Sequence, residues 1–208
     1  FASIETAETF SPDAASAGKR SLKNVLLDYL SVLSGDPAAA YKAFGRASNM
    51  TDRFAALGIL AMRFPETPEA IAALAAFEDR FRNDGLVMDK WFAVQAMIPG
   101  ERTLSRVIDL TKHSTFSFDN PNRMRSLIGT FATSNPTGFN RVDGAGYRFF
   151  ADFIIGVDKA NPQTAARILT AMRSWRSLEP IRKEKAREAL ASIAAESTLS
   201  ADVRDIVD

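Results

Sequence analysis

The sequence contains no cysteine, which removes disulfides, thiolate metal sites and cysteine nucleophiles from consideration. That absence fits a reducing compartment, and a cytoplasmic location is expected. Histidine is almost as scarce, since His113 is the only one. A catalytic zinc takes two or three imidazoles, and the His-Glu-x-x-His helix needs two, so one histidine cannot build such a site. Ser114 follows His113, but adjacent residues rarely meet as a nucleophile and base, and no Gly-x-Ser-x-Gly turn exists. His113 therefore reads as a helix-end or packing residue, where a positive charge near a helix C-terminus is favourable. No apolar stretch approaches the ~20 residues of a membrane span. The N-terminus lacks a basic region followed by an apolar run, so no signal peptide is expected. Sustained alternation of β-branched residues is missing as well, which argues against strands. Neither sign of charge dominates: Lys+Arg number 26, Asp+Glu 25, and the net charge is +1. Nothing in that balance gives a general electrostatic reason to bind nucleic acid or an anionic membrane.

What the sequence does have is helix punctuation. Leu22, Val25, Leu26, Tyr29, Leu30 and Leu33 recur at steps of three and four, the mark of an apolar stripe on an amphipathic helix. Gly35 then supplies a left-handed stop. A capping residue followed by proline occurs at Asp36-Pro37, Thr67-Pro68, Asn120-Pro121, Asn135-Pro136 and Asn161-Pro162. The side-chain oxygen of the first residue accepts from the free amides of the first turn, and proline loses nothing where an N–H has no partner. Helices are predicted near 15–34, 37–47, 50–64, 68–82, 86–97, 103–112, 121–132, 136–140, 144–157, 162–175, 179–195 and 200–207. Short polar turns between them imply an all-α fold, an α-α superhelix of stacked antiparallel pairs of the armadillo or HEAT type. No clean repeat period is visible, so any repeats are degenerate. Residues 1–14 read as a lead-in with little structure and 15–208 as one helical domain. The first residue is Phe1 rather than Met, and a segment of a longer polypeptide is expected.

Candidate sites are few. Asp143-Gly144-Ala145-Gly146 holds a lone Gly-x-Gly without a preceding strand, so a helix start capped by Asp143 is the better reading than a phosphate loop. Asn49-Met50-Thr51 fits a glycosylation triplet but reads as a capping turn. The basic run Arg173, Arg176, Arg182, Lys183, Lys185 and Arg187 is interleaved with Glu179, Glu184 and Glu188, as on a solvated, ion-paired helix face. Asn120-Pro121-Asn122-Arg123-Met124-Arg125 differs, because arginines at a helix N-terminus oppose the dipole. Such a cluster can receive an anion, for example a peptide carboxylate. The competing account is that the arginines pair with acids elsewhere or bond to loop carbonyls.

Several strings together carry a resemblance. They are His113-Ser114-Thr115-Phe116, Asn120 to Gly129 (NPNRMRSLIG), Ser134-Asn135-Pro136, Asp143-Gly144-Ala145-Gly146-Tyr147 and Asn161-Pro162-Gln163. Upstream, Asn49-Met50-Thr51-Asp52, residues 83–92 (NDGLVMDKWF) and residues 17–24 (AGKRSLKN) agree. In this order and spacing they resemble the C-terminal helical domain of the bacterial aminopeptidase N (alanyl aminopeptidase) family of zinc peptidases, over nearly the whole chain. Thr137-Gly138 after Asn135-Pro136 departs from the pattern and leaves the length of that short helix open, since glycine weakens helices.

The resemblance implies a parent with a β-rich N-terminal domain, a thermolysin-like catalytic domain, a β-sandwich and this helical domain. It places the zinc ligands and the glutamates that hold the substrate amine outside this chain, so no catalytic residue and no cofactor is expected here, with zinc in the parent. The expected partners are the catalytic and β-sandwich domains of the same polypeptide, and peptide substrates. In the family the helical domain encloses the active-site cavity and meets the peptide beyond the scissile bond. By motif position, Arg125 and Arg167 are the candidates to face that cavity, with Gln163 beside Arg167 and Asn122 beside Arg125. The alternative is a free-standing helical scaffold that binds a protein or peptide on a concave face.

Overall fold

The computed structural model describes residues 10–207, all of whose regular elements are helical. The chain packs as two compact units, Phe1–Asn83 and Asp84–Asp208. Of the expected lead-in, residues 1–9 lie outside the described residues. Asp13 ends it by accepting from the Ser16 amide at 2.9 Å, the cap of the first helix.

The first unit comprises α1 (Ala14–Ser34), α2 (Ala38–Arg46), α3 (Met50–Arg63) and α4 (Pro68–Phe81). Gly35 ends α1 in the left-handed region, with φ 65° and its N–H donated to the Ser31 carbonyl. Helix α3 packs against the other three, and Ala56, Leu57, Leu60 and Phe77 are fully buried around it. Asn49 caps α3 through the Asp52 amide at 2.9 Å, the capping turn expected there. Thr67 caps α4, while Pro37 occupies the cap of α2 and Asp36 bonds the Ala38 amide from one residue further out.

The predicted stripe on α1 is present, but it faces outward. Leu22, Val25, Tyr29, Leu30 and Leu33 are exposed, Tyr29 at 71% and Leu33 at 84%. The buried positions are Arg20, Leu27 and Ser31. What holds this side of α1 to α3 is partly polar: Asp52 accepts from Lys23 Nζ at 2.8 Å and from Asn24 Nδ2 at 3.1 Å. Burial raises the Asp52 carboxyl, but the bonds from Lys23, Asn24 and Asn49 outweigh it and hold the group below its usual range.

The second unit runs α5 (Gly85–Ala96), α6 (Thr103–Leu110), α7 (Pro121–Met124), a π turn (Arg125–Gly129), α8 (Thr130–Ser134), α9 (Pro136–Phe139), α10 (Ala145–Asp158), α11 (Pro162–Leu169), 3-10 turns at Thr170–Met172 and Trp175–Ser177, α12 (Pro180–Ala194) and α13 (Ala201–Val207). Asparagines open α7, α9 and α11, each accepting from first-turn amides. A sixth cap-proline start, Glu179-Pro180, opens α12: the Glu179 carboxylate accepts from the Ile181 and Arg182 amides at 2.8 and 2.9 Å. On α12 and its cap the expected ion pairs form, Arg182–Glu179, Lys185–Glu188 and Arg187–Glu184.

Two departures from regular helix fall in this unit. The predicted helix over 121–132 is continuous to Ser134 but contains the π turn, in which the Thr130 amide reaches the Arg125 carbonyl. The predicted helix over 162–175 ends as an α-helix at Leu169 and tightens into the first 3-10 turn. Thr170 Oγ1 donates to the Arg167 carbonyl at 2.7 Å, a local side-chain bond that competes with the helix ladder.

The core is aromatic. Phe139 meets Phe131, Tyr147 and Phe150 edge to face at 5.7, 5.2 and 5.3 Å between ring centroids. The Gly-x-Gly string serves this packing. Gly144 caps α10 at φ 71° while Asp143 holds the Ala145 amide. At Gly146 a Cβ would lie 2.2 Å from the Phe139 carbonyl oxygen, so only glycine lets α10 approach the end of α9 this closely.

Candidate functional site

A cavity of about 620 Å³ opens in the second unit, between the π turn with α8 on one side and α11 with its 3-10 turns on the other. The π turn packs against α11, and α8 against the turn at Thr170–Met172. These two contacts put Arg125 and Arg167 on one cavity wall system, joined by Arg173. Thr130, Thr133, Thr170 and Ser174 belong to the lining, with the aromatic residues Phe139, Tyr147 and Trp175. Among the described residues, no aspartate or glutamate lines the cavity.

The arginines of this region have divergent roles. Arg123 is buried and fully employed. Its Nε donates to Asp89 Oδ1 at 2.6 Å, Nη2 donates to the Gly85 carbonyl at 3.2 Å, and Nη1 donates to the Thr115 carbonyl. Its guanidinium also lies 4.9 Å over the Phe92 ring. This one arginine follows the bracing account: it ties the start of α7 to the start of α5 and to the 113–118 loop. Arg125 turns the other way, donating to the Asn122 side-chain oxygen, with no ion pair among the described residues. Arg167 and Arg173 likewise form no salt bridge among the described residues. A cavity lined by three arginines and, among the described residues, by no aspartate or glutamate suits an anion, because screening is weaker in a partly closed space than in open water.

Tyr147 belongs to the same lining. It is buried, its hydroxyl donates to Asn140 Oδ1 at 2.9 Å, and burial pushes its pKa up to about 12. It therefore stays a neutral phenol and adds no negative charge to the site. Asn140 is held in turn by Arg182 Nε, which donates to its carbonyl at 2.5 Å. The single histidine lies elsewhere: His113 packs 5.1 Å from Trp91 and 5.7 Å from Phe92, and its Nδ1 accepts from the Thr115 amide at 3.2 Å. Among the described residues no three His, Cys, Asp or Glu side chains gather as a metal ion would require.

Compared with known families, residues 1–208 match the one described as a domain of unknown function (DUF3458_C), ARM repeats. The chain belongs to this family. Among curated proteins it is similar to aminopeptidase N of Caulobacter vibrioides, 42% identical over 95% of this chain and 23% of that protein. The Escherichia coli aminopeptidase N is 38% identical over 89% of this chain and 21% of its own length. A crystal structure of Legionella pneumophila aminopeptidase A in complex with aspartic acid superposes with a TM-score of 0.88 at 31% identity, over 98% of this chain and 25% of that one. The chain thus spans under a quarter of the curated relatives it matches and corresponds to a C-terminal domain of aminopeptidases. As a DUF3458_C domain its helices are ARM repeats, in agreement with the expected armadillo-type fold, and a free-standing scaffold is not favoured.

Within this domain the four residues singled out from sequence fall in two groups. Arg125 and Arg167 line the cavity; Asn122 and Gln163 do not. Asn122 is exposed and acts on the cavity only through Arg125, whose guanidinium it bonds. Gln163 is exposed in the first turn of α11. Arg173, Trp175 and Tyr147 were not among the sequence candidates, though they line the cavity beside Arg125 and Arg167. Tyr147 stood in the DGAGY string and Arg173 in the basic run read as a solvated, ion-paired face.

Proposed function

We propose that this chain is the lid domain of a zinc-dependent aminopeptidase and that its arginine-lined cavity receives the carboxylate end of a peptide whose N-terminal bond is cut elsewhere in the polypeptide. One observation carries the reading: in a domain matched by aminopeptidases, three arginines line one cavity and, among the described residues, no aspartate or glutamate does. A guanidinium fork matches a carboxylate with two parallel bonds, and Arg125 and Arg167 are the residues assigned to it. Zinc, the general base and the groups that hold the substrate amine belong to other domains of the same polypeptide, so this chain's residues bind and orient and transfer no proton. The partners are those catalytic and β-sandwich domains, and the location is the cytoplasm, in keeping with a cysteine-free sequence. The exposed stripe of α1 is where a preceding helix pair of the same polypeptide would stack, as consecutive ARM repeats do.

The test uses the full-length polypeptide. Arg125→Ala and Arg167→Ala should each raise KM for di- and tripeptides by a factor corresponding to about 1–3 kcal/mol. A chromogenic amide without a carboxylate should keep both KM and kcat. Equal losses on both substrates, together with a lower Tm, would show that the arginines only brace the fold.

A further inference from the structure

The cavity holds more positive charge than a single peptide terminus can use. One carboxylate is satisfied by one guanidinium fork, or shared between two. Arg125, Arg167 and Arg173 all line the cavity, and none is paired with an acid among the described residues. Three like charges in a partly enclosed space repel one another, and that repulsion is relieved best by a ligand with two negative charges.

The backbone shows how the third charge comes to face the cavity. Arg167 and Arg173 are six residues apart, which in a regular α-helix would separate them by roughly 120° around the axis. The α-helix stops at Leu169, and Thr170–Met172 is 3-10. At three residues per turn the last steps sweep further, and the separation closes to roughly 60°. The Thr170 hydroxyl on the Arg167 carbonyl fixes this tightening. Trp175 is also a lining residue, with Arg176 stacked over its ring at 4.8 Å. Arg173 thus stands next to Ser174 and Trp175, about two helical turns beyond Arg167.

We propose that Arg173 is a specificity-determining residue that selects peptides with an acidic side chain at or next to the C-terminal residue. Arg125 and Arg167 hold the terminal carboxylate, and Arg173 takes the aspartate or glutamate side chain. The inference rests on the peptide-carboxylate reading above and adds to it a substrate class.

The experiment compares matched peptides that differ by one charge: Ala-Asp against Ala-Asn, and Ala-Ala-Asp against Ala-Ala-Asn, with the full-length polypeptide. The expected result is a KM lower for the acidic member of at least one pair by about three- to tenfold. Arg173→Gln should bring that ratio close to one, Arg173→Lys should retain most of it, and Arg173→Glu should turn it below one. A structural role for Arg173 would instead move both members of a pair together. Peptidase activity with no Asp/Asn preference, or a preference unchanged in Arg173→Gln, overturns this inference and leaves the carboxylate reading standing. If Arg125→Ala and Arg167→Ala leave peptide KM untouched, the carboxylate reading falls, and this one with it.

Discussion

Replacing Asn135 by alanine should be among the most damaging single changes in the second unit. Asn135 is 1% exposed and uses its whole amide. Nδ2 donates to the Ala96 carbonyl at 2.8 Å and the Ile98 carbonyl at 2.7 Å, while Oδ1 accepts from the Gly138 amide at 2.8 Å and the Thr137 hydroxyl at 3.0 Å. Alanine removes the cap of α9, worth about 1 kcal/mol. It also strips the Ala96 carbonyl of this buried donor, at about 1–3 kcal/mol. The Ile98 carbonyl suffers less, because the Thr103 hydroxyl still donates to it. The expected loss is about 2–4 kcal/mol. Asn135→Ser keeps a capping oxygen and should recover about 1 kcal/mol of it. Urea unfolding followed by tryptophan fluorescence reads this unit directly, since Trp91 and Trp175, the only two tryptophans, both lie in it. The midpoint should fall with an unchanged slope. A loss below 1 kcal/mol, or a serine variant no better than alanine, would refute the reasoning. The consequence reaches the cavity, because Asn135 anchors the short helix that ends in Phe139 and Asn140, both lining residues.

Two further outcomes are expected. Gly146→Ala places a methyl 2.2 Å from the Phe139 carbonyl oxygen and should cost about 2–4 kcal/mol; Gly156→Ala in the same helix, with nothing within 4 Å, should be neutral or stabilising, and equal effects on denaturant unfolding would contradict the packing argument. Asp52 has its pKa held below the usual range, so its stabilising contribution is complete above about pH 4, the unfolded value, and drains away as pH falls through the lower folded value. Asp52→Asn should flatten the acid limb of Tm measured by circular dichroism between pH 2 and 6, and an unchanged limb would show that other carboxylates govern it.

Helix starts were legible because asparagine, threonine and aspartate before proline leave little other structure open. A helix was expected from 179, but Glu179-Pro180 was not counted among the cap-proline pairs, because glutamate is a less common cap. The α1 stripe was legible as a pattern, but not the direction it faces. Periodicity reports that a helix has an apolar side, whereas the neighbour that covers it is decided by the rest of the fold, here by the pairing of Lys23 and Asn24 with Asp52. The arginines divided for a similar reason. Arg123 and Arg125 are two residues apart and chemically alike, yet Asp89, 34 positions upstream of Arg123, claims the first and leaves the second to the cavity. Arg173 was hidden in a charge run, since the return of its side chain to the cavity depends on a 3-10 turn set by the Thr170 hydroxyl.

The π turn at Arg125–Gly129 also governs how this stretch tolerates changes in length. A π turn holds one residue more than the α-helical turn it replaces. Deleting a single residue there would leave an unbroken, well-bonded α-helix. Because the residue removed is the one the turn absorbs, everything downstream would keep its face relative to everything upstream. Phe131, fully buried now, would stay in the aromatic cluster, and Asn135 would stay within reach of Ala96 and Ile98. The same deletion in the regular helix α10 would turn its far end by about 100°, so the π turn accepts a change in length that an α-helix of this unit would not.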